Sequence, residues 1–157
     1  MAMVRRLLYI FLGLAVGASF SRAAETDLAR YGTAEIAPAR TSIYIGSVSM
    51  TFPVFIRKGG TYWSTYSARV FPYFFYNEHG HLSIDVSDDQ LRQLARGETI
   101  EFKGRGLSSD SEERPIEGKV TPTDATSGKI KVRVYVSKHI QLIFNTTYRL
   151  KPAAAAQ

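Results

Sequence analysis

From residue 41 onward the chain alternates apolar and polar side chains with a period of two, and this constrains its fold more than any other feature. Ile130, Val132, Val134 and Val136 alternate with Lys131, Arg133 and Tyr135. Leu82, Ile84 and Val86 alternate with Ser83 and Asp85, and Ile116, Gly118 and Val120 with Glu117 and Lys119. A side chain every second residue on one face is the geometry of a half-buried strand. Strands with one wet face belong to antiparallel sheet. The expectation is an all-β fold of about seven antiparallel strands, a barrel or a sandwich, joined by hairpin-sized links.

One segment breaks the period. Ser87 has the chemistry of an N-cap and Gln90 stands three residues on, the spacing of a capping box. Asp88 and Asp89 suit the positive end of a helix dipole. Leu91, Leu94 and Ala95 form one apolar stripe, and Gly97 suits the position after the last turn. This predicts a short helix over 88–96, packed on the sheet. A helix between the third and fourth strands resembles the order of an oligonucleotide- and oligosaccharide-binding barrel. The resemblance is topological, covers that one feature, and leaves two strands over. A lipocalin-like barrel is equally compatible.

The domain boundaries follow from composition. Arg5 and Arg6 precede an apolar run from Leu7 to Phe20, and Ser21-Arg22-Ala23 places small residues before a cleavage point. This is the three-part pattern of a signal peptide over 1–23, and the run is shorter than the roughly 20 residues of a spanning helix. Residues 24–40 show no sustained period and read as a flexible arm. Residues 41–150 form a single β-rich domain, and 151–157, with four consecutive alanines, a disordered tail. Within 41–52 the apolar parity flips near Gly46-Ser47, which predicts a bulge or bend. The address is periplasmic or extracellular. The chain has no cysteine, which excludes lipid attachment through a cysteine, thiol catalysis, and stabilisation by disulfides.

Cleavage would remove three arginines and no acid, leaving 17 basic against 14 acidic residues. The balance is segregated: 24–124 carries net −3, and 125–157 carries six basic residues and no acid. A nucleic-acid module is usually more basic overall, and an exported chain rarely meets nucleic acid. Lys131 and Arg133 on the last strands are candidate contacts for an anionic envelope polymer or lipid. Their plainer role is to solvate a strand face and guard an edge.

Half of the sixteen aromatic residues outside the leader fall between Tyr62 and Tyr76. Tyr62 and Tyr66 share one parity and Trp63 the other, so one half-buried strand cannot hide them all. Either a second layer covers the outer face, or Tyr62, Trp63, Tyr66 and Tyr73 include rings offered to a ligand. Glu78, His79 and His81 are the candidate metal ligands, if 77–80 folds as a tight turn; a solvated polar turn is the plainer reading. No nucleophile elbow is present, and Asp88-Asp89 is explained by helix capping. The function expected is an exported binding or structural module that contacts an envelope component or partner protein through its aromatic strand. Polysaccharide, lipid and protein stay open as partners, and no cofactor is called for. The alternative is a metal-dependent or hydrolytic enzyme using His79 and His81.

Export carries a direct check. Mass spectrometry of protein recovered outside the cytoplasm is expected to show a chain starting at Ala24, or within one or two residues of it. Intact chain from Met1 in the soluble cytoplasm would overturn the leader assignment.

Overall fold

The computed structural model describes residues 28–154. The leader assigned to 1–23 therefore lies outside the described residues. Ten strands form: β1 (Thr33–Ile36), β2 (Ala39–Ile43), β3 (Gly46–Thr51), β4 (Phe55–Lys58), β5 (Thr61–Phe71), β6 (Glu78–Asp85), β7 (Ile100–Ser108), β8 (Glu113–Pro122), β9 (Ser127–Tyr135) and β10 (Gln141–Lys151). One helix, α1 (Asp88–Ala95), lies between β6 and β7.

Eight of these strands close a ring in the order β1-β4-β5-β6-β7-β8-β9-β10, every pair antiparallel. The remaining hairpin, β2–β3, lengthens two of the staves. β4 pairs with the Thr61–Trp63 stretch of β5, and β3 with its Ser67–Phe71 stretch. Pro53 lies in the gap between β3 and β4, where the missing N–H could not serve a ladder. Ala37, next to Pro38, keeps its place between β1 and β2 by donating its N–H to Thr147 O, while Thr146 Oγ1 donates to Ala37 O. The barrel is thus up-and-down, each stave beside the next in sequence. The order of an oligonucleotide-binding barrel, a Greek key, does not apply.

Several local expectations are corrected. The parity flip near Gly46 is a chain reversal, not a bulge: β2 ends at Ile43, and Gly46 opens β3 at φ +125. That backbone conformation favours glycine. The segment 24–40, taken as a flexible arm, contains β1 and the first two residues of β2, with Tyr31, Ala34 and Ala39 buried. Small side chains such as Ala34 carry little hydrophobic signal, and the partners that hold them are β4 and the far end of the chain. Lys151, assigned to the tail, pairs with Thr33, and its Nζ meets Glu35 Oε1 at 2.7 Å. Residues 155–157 of that tail lie outside the described residues. Residues 78–80 form the first part of β6 rather than a turn.

The capping box of α1 is present: Ser87 Oγ accepts from Gln90 N, and Gln90 Oε1 accepts from Ser87 N. Leu91 and Leu94 enter one end of the barrel. They share a void of about 50 Å3 with side chains from most staves, among them Phe55, Tyr62, Ile84, Phe102, Val120 and Leu150. The helix is therefore a lid on that end. Arg57 fastens it, donating to Val86 O and to Asp88 Oδ1, and Gln90 Nε2 donates to Glu101 O. Deeper in, the Phe102 ring lies over Gly118, where an added Cβ would stand 2.1 Å from the ring. Sites for small molecules span about 300–1,000 Å3, so this barrel is a filled core and not a cup.

Leu91 is fully buried, and Leu91→Ala is expected to destabilise the fold by about 2–5 kcal/mol. Ser87→Ala is expected to cost about 0.5–2 kcal/mol through the lost cap. An unchanged denaturation midpoint for Leu91→Ala would mean that the lid carries none of the core.

Candidate functional site

The two ends of the barrel differ in chemistry. Both described chain ends, Leu28 and Ala154, adjoin the helix end, because Thr33 pairs with Lys151. The opposite end carries four connections: 44–45, 72–77, 109–112 and 136–140. Strand alternation directs Tyr66, Glu78 and Arg114 inward at this end. Tyr66 Oη donates to Glu78 Oε1 at 2.5 Å, and Arg114 Nη2 donates to Glu78 Oε2 at 2.8 Å. Arg114 also donates to Glu112 Oε2 and to Val136 O. Arg114 thereby links β8 to Glu78 on β6 and to the end of the neighbouring β9. Burial, and then the hydrogen bond to Glu78, pushes the Tyr66 phenol well above its ordinary range. The hydrogen bond to Glu78 raises Arg114 further. The three groups neutralise one another and close the mouth with a satisfied polar layer.

Outside that layer the connections are apolar. Tyr44 is 101% exposed, Phe75 76% and Tyr76 66%; Ile45, Phe71, Phe74 and Ile140 are also exposed. The rings of 71–76 pack on one another. Phe71 meets Phe74 edge-on at 5.8 Å, Tyr73 meets Phe75 at 6.0 Å, and Phe75 and Tyr76 stand 4.5 Å apart. The backbone beneath them is tied down: Phe74 N donates to Pro72 O, Tyr76 N to Tyr73 O, and Val70 N to Asn77 Oδ1. An added Cβ at Gly46 would stand 1.9 Å from Phe71 O. The start of β3 therefore lies against the start of the 72–77 connection, and the 44–45 turn projects from the same side of the end. This is an aromatic crown facing away from the core, its 71–76 part held by ring contacts and backbone hydrogen bonds.

The residues singled out from sequence are divided by the fold. Tyr62 and Tyr66 are interior, 4% and 6% exposed. Tyr62 Oη donates to Tyr31 O at 2.7 Å, and burial raises its phenol strongly. As binding residues both are corrected: their parity points into a closed barrel. Trp63 is half-exposed on the outer wall, across from Ile56 on one side and Ser83 on the other. Tyr73 is half-buried at the base of the crown. Lys131 and Arg133 face out from β9, with β6, β7 and β8 between them and Trp63. Arg133 is registered with Glu117 and Lys131 with Lys119.

The metal reading of Glu78, His79 and His81 required a turn that made them converge. In β6 they alternate: Glu78 points in to Arg114 and Tyr66, while His79 and His81 are exposed. Among the described residues no group of three His, Asp or Glu side chains is placed to hold a metal ion.

Tyr44, Ile45, Phe74, Phe75, Tyr76 and Ile140 escaped the sequence reading. A signal was available: Tyr73 to Tyr76 are four consecutive aromatics between Pro72 and Asn77. No strand hides four neighbours on one face, and Pro and Asn mark a turn. Compared with known protein families, with curated proteins and with solved structures, the chain matches none.

The phenols offer a check on the interior assignment. Burial raises Tyr62 and Tyr66 strongly and brings Tyr148 to about 12. Groups held neutral in the native state contribute stability below their unfolded pKa, near 10, and that stability is lost as pH rises above it. In an alkaline titration followed by tyrosinate absorbance, these three are expected to ionise only as the fold is lost. Trp63 emission is expected to be red-shifted and open to a soluble quencher. A single smooth phenol titration with the fold intact would contradict the interior placement.

Proposed function

We propose that this protein is an exported binding module that contacts an envelope component through the aromatic crown. The observation that carries this reading is the exposure of the crown rings on a backbone already ordered by its own hydrogen bonds. Exposed apolar patches of that kind are uncommon on monomers unless something covers them. Rigid rings also lose little conformational entropy when they bind. The interior void of about 50 Å3 favours a contact surface over an internal ligand site. The leader pattern at 1–23 supports an address outside the cytoplasm.

The test is co-sedimentation of the chain from Ala24 with a washed cell-envelope fraction. A double substitution, Tyr44→Ser with Phe75→Ser, is expected to weaken association by about tenfold or more, as befits two rings losing apolar contact. The paired change Lys131→Gln with Arg133→Gln, on the wall of the barrel, is expected to leave it within about twofold, the scale of a surface charge remote from the contact. Crown variants that sediment like the unaltered chain would overturn the reading.

A further inference from the structure

We infer that the crown's partner is a lipid bilayer bearing anionic headgroups, with the rings entering the interface and a collar of basic residues meeting the lipid phosphates. The inference rests on the crown being the binding surface and adds the identity of what it meets.

Three features of the loop end point to a bilayer. The first is the chemistry of the tips. From Thr41 to Phe52 and from Val70 to Asn77 there is no Asp, Glu, Lys or Arg. Tyrosine and phenylalanine combine a large apolar body with, in tyrosine, a polar edge, and such rings concentrate at the level of lipid headgroups. The second is shape. The apolar side chains stand on three turns at the tip of the molecule, with rings on 44–45 and 72–77 and Ile140 on 136–140. Protruding points of this kind suit a deformable plane better than a fixed protein surface.

The third is the placement of charge. Arg40, Ser49 and Arg69 are in register across β2, β3 and β5. Arg40 and Arg69 are exposed on the outer wall. Arg69 is two residues behind Phe71, and Arg40 three behind Ile43. At a rise of about 3.4 Å per residue that is roughly 7–10 Å behind these strand ends, from which the turns project further; Arg40 reaches back toward the turn, its Nη2 donating to Ser47 Oγ, and interfacial apolar groups sit about 5–10 Å deep. Rings at the acyl boundary would thus bring both guanidinium groups to the phosphates. Lys138, beside Ile140, adds a third cation. Among the described residues none of the three forms an ion pair, Arg40 donating instead to Ser47 Oγ.

The acids of this end lie elsewhere. Asp110 and Glu112 belong to the β7–β8 connection and Glu113 opens β8, on the opposite side of the ring from the β2–β3 turn, while Glu78, next to the β5–β6 turn, points inward to Arg114. Glu112 is held by Arg114, and Glu113 lies 3.7 Å from Arg105. The docked barrel leans, with the β2–β3 and β5–β6 turns in the lipid and the acidic turn raised into water.

The experiment is sedimentation of the chain from Ala24, which holds the whole barrel, with vesicles of phosphatidylcholine alone and of phosphatidylcholine mixed equally with phosphatidylglycerol. Binding to the mixed vesicles is expected, weakened by salt because part of it is screened charge. Tyr44→Ser with Phe75→Ser should reduce it by about tenfold or more. Arg40→Gln with Arg69→Gln should abolish the preference for the anionic mixture and leave residual binding through the rings. Trp63→Phe with Phe75→Trp gives a second readout, an emission that shifts to the blue on the mixed vesicles. Should the double serine variant not fold, Tyr44→Ser alone removes a ring that makes no part of the core. Folded protein that stays in the supernatant with both vesicles overturns the lipid assignment. If the washed envelope still binds through the crown in that case, the binding reading stands and its partner is a protein or polysaccharide. If envelope binding is also indifferent to the crown, both fall.

Discussion

Closure of the ring by β1 against β10 is the constraint on which the rest of this structure depends. Thr33 to Ile36 pairs residue by residue with Lys151 to Tyr148, and Ala34 also pairs with Phe55 on the other side. An open sheet of this length would leave two edges of unpaired N–H and C=O groups, which invite pairing with other chains. Closure removes both edges of the eight-strand ring, leaving β2 paired on one side only, and turns the inward residues toward one shared core. It also brings the two described ends of the chain together at the helix end, leaving the loop end clear of them.

A core closed in this way leaves little room inside. Phe102 covers Gly118, Leu91 and Leu94 fill the helix end, and the Tyr66–Glu78–Arg114 layer seals the other. The ion pair in that layer is a poor source of net stability, because desolvating two charges offsets most of their attraction. Its clearer effect is to hold Arg114 at the mouth, where it reaches Val136 O and Glu112. Three of the four connections at this end, 72–77, 109–112 and 136–140, are thereby tied to or border one polar layer. With the interior occupied, any contact with another molecule falls to the outer wall and to these connections.

The outer wall carries the chemistry of solvation. Lys103 is registered with Glu117 and Glu117 with Arg133, a cross-strand ladder of opposite charges of the kind that contributes modestly and resists aggregation. Exposed apolar side chains also stand on the wall: Trp63 beside Ile56 on β5 and β4, and Ile143 beside Arg133. The loop end is different in kind: apolar side chains sit where turns ordinarily carry Gly, Asn, Asp and Ser. A stability argument alone would not place Tyr44 and Phe75 in water. The contrast between wall and crown supports a contact role for the crown.

The sequence by itself determined the local elements. Period-two alternation specified strands, and Ser87, Gln90, Leu91 and Leu94 specified the helix and its buried face, because these signals act between residues a few positions apart. It did not reveal β1, since Ala34 is held by β4 and β10, more than a hundred residues away in the second case. It read the parity flip at Gly46 as a bulge or bend, since a reversal and a bulge shift parity alike until the partner strand is known. The aromatic cluster was legible as an excess of rings for one buried face, but its division was not. Tyr62 and Tyr66 enter the core while Phe74, Phe75 and Tyr76 leave it, and Glu78 parts from His79 and His81. Which face of a strand is interior is decided only when the ring closes, because in and out are properties of the closed surface and not of any single strand.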